Sequence, residues 1–251
     1  MRRTPLLLTE DIEGRLARFC VLFAYHSGKI ENDQITFPMT REIFASGRVS
    51  NYTGDLRTLH EIENQKRCFL SLRPYVEKKR MMDVAFIRQV QRTLTEGTYD
   101  ASRLERGERP GEFKRHRYVA GIHGAGAAPK EVAERLEKLL ESVHAASVTD
   151  HFLAGVYFHA AFENIHPFAD GNGRSGRLLM NYYFLIHGIA PVIVYEDEKE
   201  AYYRALEAYD MYGDLDMLAD HILTQQERTW VRTKNRRNRR LSTFVTEVAD
   251  E

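Results

Sequence analysis

Residues 149 to 165 are apolar almost all the way round a helical wheel: Phe152, Leu153, Val156, Phe158, Ala161 and Ile165 leave no broad polar face. A helix of that kind has to lie in the middle of a domain, because any solvent-facing side would expose large side chains. Its neighbours need offer only one apolar stripe each, and the flanking sequence supplies them. Residues 10 to 26 align Ile12, Leu16, Phe19, Leu22 and Phe23, with Thr9 placed as N-cap and acidic residues in the first turn. Residues 55 to 72 and 83 to 95 are two further helices, the second starting at Asp83 and stopping at Gly97. Pro129 stands where a helix begins, and Val132, Leu136, Leu139, Leu140 and Val143 follow at the helical period. Helices are expected from about Gly173 to His187, ending at Gly188, then over 198 to 211 and 214 to about 235. The extended signal is slight: Tyr118 to Ile122 before a Gly/Ala-rich turn, and Ile189 to Tyr195. The pattern predicts a compact all-α fold with one small β-hairpin.

Charge and cysteine usage narrow the class. Lys plus Arg equals Asp plus Glu, 36 each, so no overall field steers a polyanion, and a nucleic-acid partner is not expected. The basic run Arg228, Arg232, Lys234, Arg236, Arg237, Arg239 and Arg240 reads more readily as a solvated helix end. Met1 to Leu8 resembles the start of a secretion signal, but Glu10, Asp11 and Glu13 interrupt it, and no apolar run approaches a membrane span. Cys20 and Cys68 sit among apolar neighbours as free thiols, which points to a reduced, cytoplasmic setting. Spaced histidines at 151, 159 and 166 invite a metal reading, but no Cys or Glu completes a tetrahedral set.

The stretch His166-Pro167-Phe168-Ala169-Asp170-Gly171-Asn172-Gly173-Arg174-Ser175-Gly176-Arg177 carries the chemistry. It leaves the buried helix and enters the next one. Glycines let the backbone come close to a ligand, and amides at the new helix N-terminus point at an anion. Arg174 and Arg177, three residues apart, share a helix face. Amides and two guanidiniums suit a polyphosphate. Asp170 in such a site calls for a cation between it and the phosphates, as Mg²⁺ would provide. His166 titrates in the range of a general base. Together these describe transfer of a phosphorus-centred group to a protonated nucleophile.

These residues match the motif of the Fic family, His-Pro-Phe-x-Asp-Gly-Asn-Gly-Arg-x-x-Arg, without departure, and the chain resembles that family over roughly residues 55 to 225. The resemblance implies a Fic/Doc-type helical fold and a protein adenylyltransferase that moves AMP from ATP, with Mg²⁺, to a Ser, Thr or Tyr hydroxyl. His166 would deprotonate that hydroxyl and Asp170 would hold the metal. Gly171, Asn172 and Gly173 would bind the α-phosphate, Arg174 the β-phosphate and Arg177 the γ-phosphate. Gly111 to Lys114 through Tyr118, Val119, Ala120 and Gly121 resembles the family's flap, a hairpin that would pair with an extended target segment. Tyr203 is the candidate for the adenosine pocket, and Asp210 a second. Autoinhibited relatives carry Ser/Thr-x-x-x-Glu-Gly/Asn on a helix, and Ser27 to Asn32 fits, with Glu31 set to pair with Arg177. Thr9 to Gly14 fits the same loose pattern, but Thr9 already serves as a cap.

The domain division is an N-terminal helical segment over 1–54, a catalytic core over 55–225 and a basic tail over 226–251. Three activities remain open. One is AMP transfer held off by Glu31. A second keeps the fold and changes the reaction: another nucleotidyl donor, phosphate or phosphocholine transfer, or removal of AMP. The third is a nucleotide-sensing protein without chemistry. The resemblance also allows self-modification and a homodimer.

Overall fold

In the computed structural model, residues 4–118, 126–145 and 151–232 are described. The apolar segment forms helix α8, His151–Ile165, and the loop after it leads into α9, Asn172–Ile186. These two pack against each other more extensively than any other pair of helices. Around them lie α7 (Val132–His144) on α8, and α4 (Leu56–Glu77) and α5 (Val84–Thr95) on α9. Helices α10 (Lys199–Tyr212) and α11 (Asp216–Glu227) close the other side of α8. Most expected helices in this core are found within a few residues of their sequence limits, but the last, expected over 214 to about 235, is α-helical only to Glu227 and continues as a π-turn over Arg228–Arg232. Asp83 caps α5 by accepting from the Phe86 N–H at 2.6 Å, which explains the sharp start there.

Four local readings are corrected. The first expected helix is two: α1 (Glu10–Glu13) stops at Gly14, and α2 (Leu16–Glu31) runs past residue 26 to place Ser27 and Glu31 in its last turn. A helix α3, Phe37–Ser46, occupies a stretch given no helix from sequence. Thr36 caps it and Gly47 ends it in the left-handed region, so its signals were local ones at each end rather than a long apolar stripe. A short α6, Ala101–Glu105, is also added, capped by Asp100. Residues 189 to 195 do not form a strand. Among the described residues the sole bridge there is the antiparallel Leu7–Ile189 pair. The side chain of Asn181 takes both the N–H and the C=O of Val192, at 2.6 and 2.9 Å, so this segment's backbone bonds end on a side chain instead of a neighbouring strand.

One core runs through the whole assembly. Phe19, Phe23 and Ile30 of α2 join the same apolar cluster as Phe162, Phe168 and Leu178, so the segment before residue 55 is packed into the same core as α8 and α9. A smaller cluster of Ile35, Ile43 and Ile62 fastens α3 to α4. Both cysteines are free, and burial pushes their thiols up to about 12. Among the described residues no helix is long and apolar enough to cross a membrane.

Candidate active site

The turn from α8 into α9 is built around one strained residue. His166 has a φ of 49°, in the left-handed region that a side chain seldom adopts. The carbonyls on either side of it are held. Ile165 O accepts from Ala127 N at 2.9 Å and from Lys114 Nζ at 3.3 Å, and Pro167 O accepts from Lys114 N at 2.9 Å. His166 N–H donates to Phe162 O at 2.9 Å. Phe168 is fully buried against Phe162 and Phe113, which anchors the middle of the loop. Asn172 holds it from the far side: its Oδ1 accepts from Phe168 N at 2.9 Å and its Nδ2 donates to Phe168 O at 2.8 Å. The Asn172 side chain is thereby committed to loop shape, which leaves main-chain N–H groups to meet an anion. Gly171, with a φ of 77°, makes the turn into α9.

Burial lowers the His166 imidazole to about 4, and the nearby Lys114 ammonium adds to this, while Glu31 and Asp170 oppose it. At neutral pH the ring is uncharged and able to accept a proton. Lys114 is itself buried, and desolvation lowers it to about 8.

At the other end of the turn three guanidiniums meet three carboxylates. Arg177, 1% exposed, donates Nη2 to Glu31 Oε1 at 2.8 Å and to Ser27 O at 2.9 Å, and Nε to Ser27 Oγ at 3.0 Å. Burial works against its charge, but Tyr202, Glu31 and Glu163 outweigh that and raise its pKa. The Glu31 carboxylate lies over the first turn of α9: a Cβ added to Gly173 would fall 2.3 Å from Glu31 Oε1. Arg174, 3% exposed, faces Glu61 Oε1 at 3.2 Å and Asp170 Oδ1 at 3.5 Å. Its Nε has no hydrogen-bond partner among the described residues. Asp170 Oδ1 also accepts from Gly171 N at 2.6 Å, and its Oδ2 accepts from Arg57 Nη2 at 3.0 Å.

The sequence motif therefore converges in space, and Ser27 and Glu31 arrive beside it from α2. Thr9, in the competing pattern, accepts from Ile12 N at 3.4 Å as the cap of α1. Tyr203 is half-buried on α10, and burial pushes its hydroxyl up to about 12. Its neighbour Tyr202 is fully buried and contacts His159 Nε2 through its hydroxyl at 2.8 Å. Asp210 accepts from Asn164 Nδ2 at 2.9 Å, tying α10 to α8. Tyr118 donates to the buried Glu108 at 3.1 Å, whereas Val119, Ala120 and Gly121 of the expected flap lie outside the described residues, as does the tail beyond 232. Arg228, at the start of that basic run, is paired with Asp197 and Glu198. Arg57 and Glu61 are site neighbours that sequence reasoning passed over, and Lys114, read there only as part of the flap, is a third. The i,i+4 spacing of Arg57 and Glu61 was the available signal, and it is shared by most exposed helices.

With this geometry in place, the chain can be set beside known proteins. Residues 81–184 match the Fic/DOC family. That match spans the α8–α9 turn and its motif. Among curated relatives, the protein adenylyltransferase Fic of Drosophila persimilis is 29% identical over 208 residues, covering 82% of this chain and 39% of the relative. That of Drosophila virilis is 34% identical over 122 residues, covering 47% of this chain and 24% of its own length. This chain thus spans about two-fifths of the first of these relatives. Two solved structures share the Fic fold. Fic-1 (residues 134–508) of C. elegans superposes with a TM-score of 0.77 at 22% identity, covering 92% of this chain and 68% of that one. A Fic-domain signalling protein of Bacteroides thetaiotaomicron gives 0.73 at 20% identity, covering 88% of each.

Proposed function

We propose that the chain is a protein adenylyltransferase that transfers AMP from ATP to a hydroxyl of a target protein, and that Glu31 holds it in a low-activity state. The observation that carries this reading is an uncharged His166 at the mouth of an anion cradle already filled by a carboxylate. A cradle that binds Glu31 through Arg177 and the first turn of α9 suits a terminal phosphate by the same chemistry.

His166 takes the proton of the incoming hydroxyl. The clamp on Ile165 O and Pro167 O keeps its ring oriented as the charge arrives. Main-chain N–H groups of Gly171 to Gly173 and the buried Arg174 hold the phosphate chain, and Arg177 holds its far end once Glu31 has moved off. Asp170 fits a Mg²⁺ ion that keeps most of its ligands as phosphate oxygens and water. Asp170 would hold such an ion where it could neutralise charge developing on the phosphates. While Glu31 stays on Arg177, the nucleotide cannot lay its last phosphate on that arginine, and the α-phosphorus is misaligned for in-line attack. Tyr203 borders the nucleoside, and the segment from Tyr118 registers the target chain. The setting proposed is the cytoplasm.

The donor test uses the Glu31→Gly variant with ATP labelled at either the α or the γ position, with cell lysate supplying targets. AMP transfer predicts label on protein from α-labelled ATP alone. Label from γ-labelled ATP would establish phosphate transfer instead. Loss of AMP from a modified protein would establish the reverse reaction.

A further inference from the structure

Outside the Fic motif, one side chain holds the carboxylate on which the metal reading rests. Arg57, in the first turn of α4, reaches Asp170 Oδ2 with Nη2 at 3.0 Å while its Nε stays on Glu61 Oε1 at 3.1 Å. The cluster is balanced. Arg57, Arg174 and Arg177 face Asp170, Glu61 and Glu31, three positive groups against three negative ones. A buried carboxylate without a counter-charge is costly, so Asp170 needs a cation whether or not a metal is present.

The three arginines are not equally free to leave. Arg177 is 1% exposed and held by the buried Ser27 as well as by Glu31, and Arg174 is 3% exposed against the buried Glu61, whereas the Arg57 side chain is 37% exposed. Glu61, itself 3% exposed, accepts from Arg57 and also from Asn32 Nδ2 at 2.8 Å. Arg57 therefore has two attachments of different kinds, a buried anchor at Nε and a bond to Asp170 at Nη2. It can give up the second and keep the first by rotating the end of its side chain toward solvent.

We propose that Arg57 is the exchangeable cation of Asp170. It satisfies the carboxylate in the metal-free enzyme, yields it to the divalent ion that arrives with nucleotide, and so sets how strongly nucleotide binding depends on that ion. This rests on the assignment of Asp170 as the metal-holding carboxylate. Arg57 is a positioning residue in this account, because it acts through Asp170 rather than on substrate. Its hold on Asp170 is a second check on loading, separate from Glu31: Glu31 contests the terminal phosphate, and Arg57 contests the metal. A site with both checks discriminates against metal-free nucleotide less than one in which Asp170 stands alone.

The test measures ADP binding by calorimetry, in Mg²⁺ and in EDTA, for wild type, Arg57→Ala, Arg57→Gln and Asp170→Asn. ADP has no terminal phosphate to contest with Glu31, so the readout is separate from that contact and from activity. The expected result is a Mg²⁺ advantage, the ratio of the two dissociation constants, about threefold to fivefold larger in Arg57→Ala than in wild type, as suits the loss of a partly exposed pair. Arg57→Gln, which retains much of the stem, should behave alike and guards against misfolding of the alanine variant. Weaker ADP binding by the same factor in both conditions would make Arg57 a phosphate ligand and overturn the proposal, and an unchanged ratio in both variants would overturn it too. A Mg²⁺ advantage that survives Asp170→Asn would sink the metal assignment and this inference together. An advantage lost in Asp170→Asn but unaltered at Arg57 would sink the inference alone.

Discussion

The two ends of the α8–α9 turn are buried to a similar degree and treat charge in opposite ways. At the arginine end, each buried guanidinium lies within a few ångströms of a carboxylate. At the histidine end, His166 has no carboxylate in salt-bridge contact among the described residues, and it drops to about 4, mainly through desolvation. Between the two ends, on the face of α8 toward Arg177, His159 falls to about 3 and Glu163 rises to about 8, again mainly through desolvation. Burial preserves charge where partners are supplied and removes it where they are not. One end is suited to gripping phosphates and the other to receiving a proton.

The largest expected effect comes from breaking a pair at the charged end. Arg174→Ala removes one of the two cations that meet Glu61 and Asp170, leaving Arg57 on both, and should destabilise the fold by about 2 kcal/mol, the scale of a lost hydrogen bond to a charged group. Denaturant unfolding measures this. A loss well under 1 kcal/mol would mean that the end does not depend on paired charge.

The next concerns the neutral end. Lys114→Met removes the ammonium that helps to depress His166, so the acid limb of transfer activity should move up toward the ordinary histidine value of 6.5. Profiles of rate against pH, taken in the Glu31→Gly background, would show it. An unmoved limb combined with a lower rate would give Lys114 a purely structural part as the clamp on Ile165.

The smallest expected effect is on stability. Glu163 is raised from 4.5 to about 8 in the folded protein, so between those values the native state binds more protons than the unfolded chain. Its contribution is full below pH 4.5 and is lost as pH rises through about 8. Glu163→Gln should flatten the decline in melting temperature over that window. An equally steep decline in the variant would place the titration elsewhere.

What sequence could reveal divides along a similar line. The turn was legible because its motif is continuous: His166 through Arg177 specify strain, cradle and charge within a few residues. The buried α8 was legible because an all-apolar wheel permits no other placement. Glu31 could be paired with Arg177 only through family resemblance, since nothing local in Ser27 to Asn32 says what lies opposite. Helix α3 escaped because it is short, and its helix content rests on Thr36 and Gly47 at its ends. Arg57 and Glu61 escaped for a different reason. They reach the turn from a distant segment, and an i,i+4 pair looks the same whether it faces solvent or a catalytic loop. Lys114 was read as part of the flap, but nothing local shows that its ammonium turns back onto Ile165. The split of the first helix at Gly14 was a boundary that a continuous apolar stripe concealed.

The most direct test of the account compares wild type, Glu31→Gly and Glu31→Gly with His166→Ala, each incubated with α-labelled ATP and Mg²⁺, reading label on protein. Freeing Arg177 from a charged hydrogen bond should raise labelling on the order of tenfold to a hundredfold in Glu31→Gly over wild type. Removing the base should then cut it by roughly a hundredfold or more. Equal labelling in wild type and Glu31→Gly, or full labelling without His166, would contradict it.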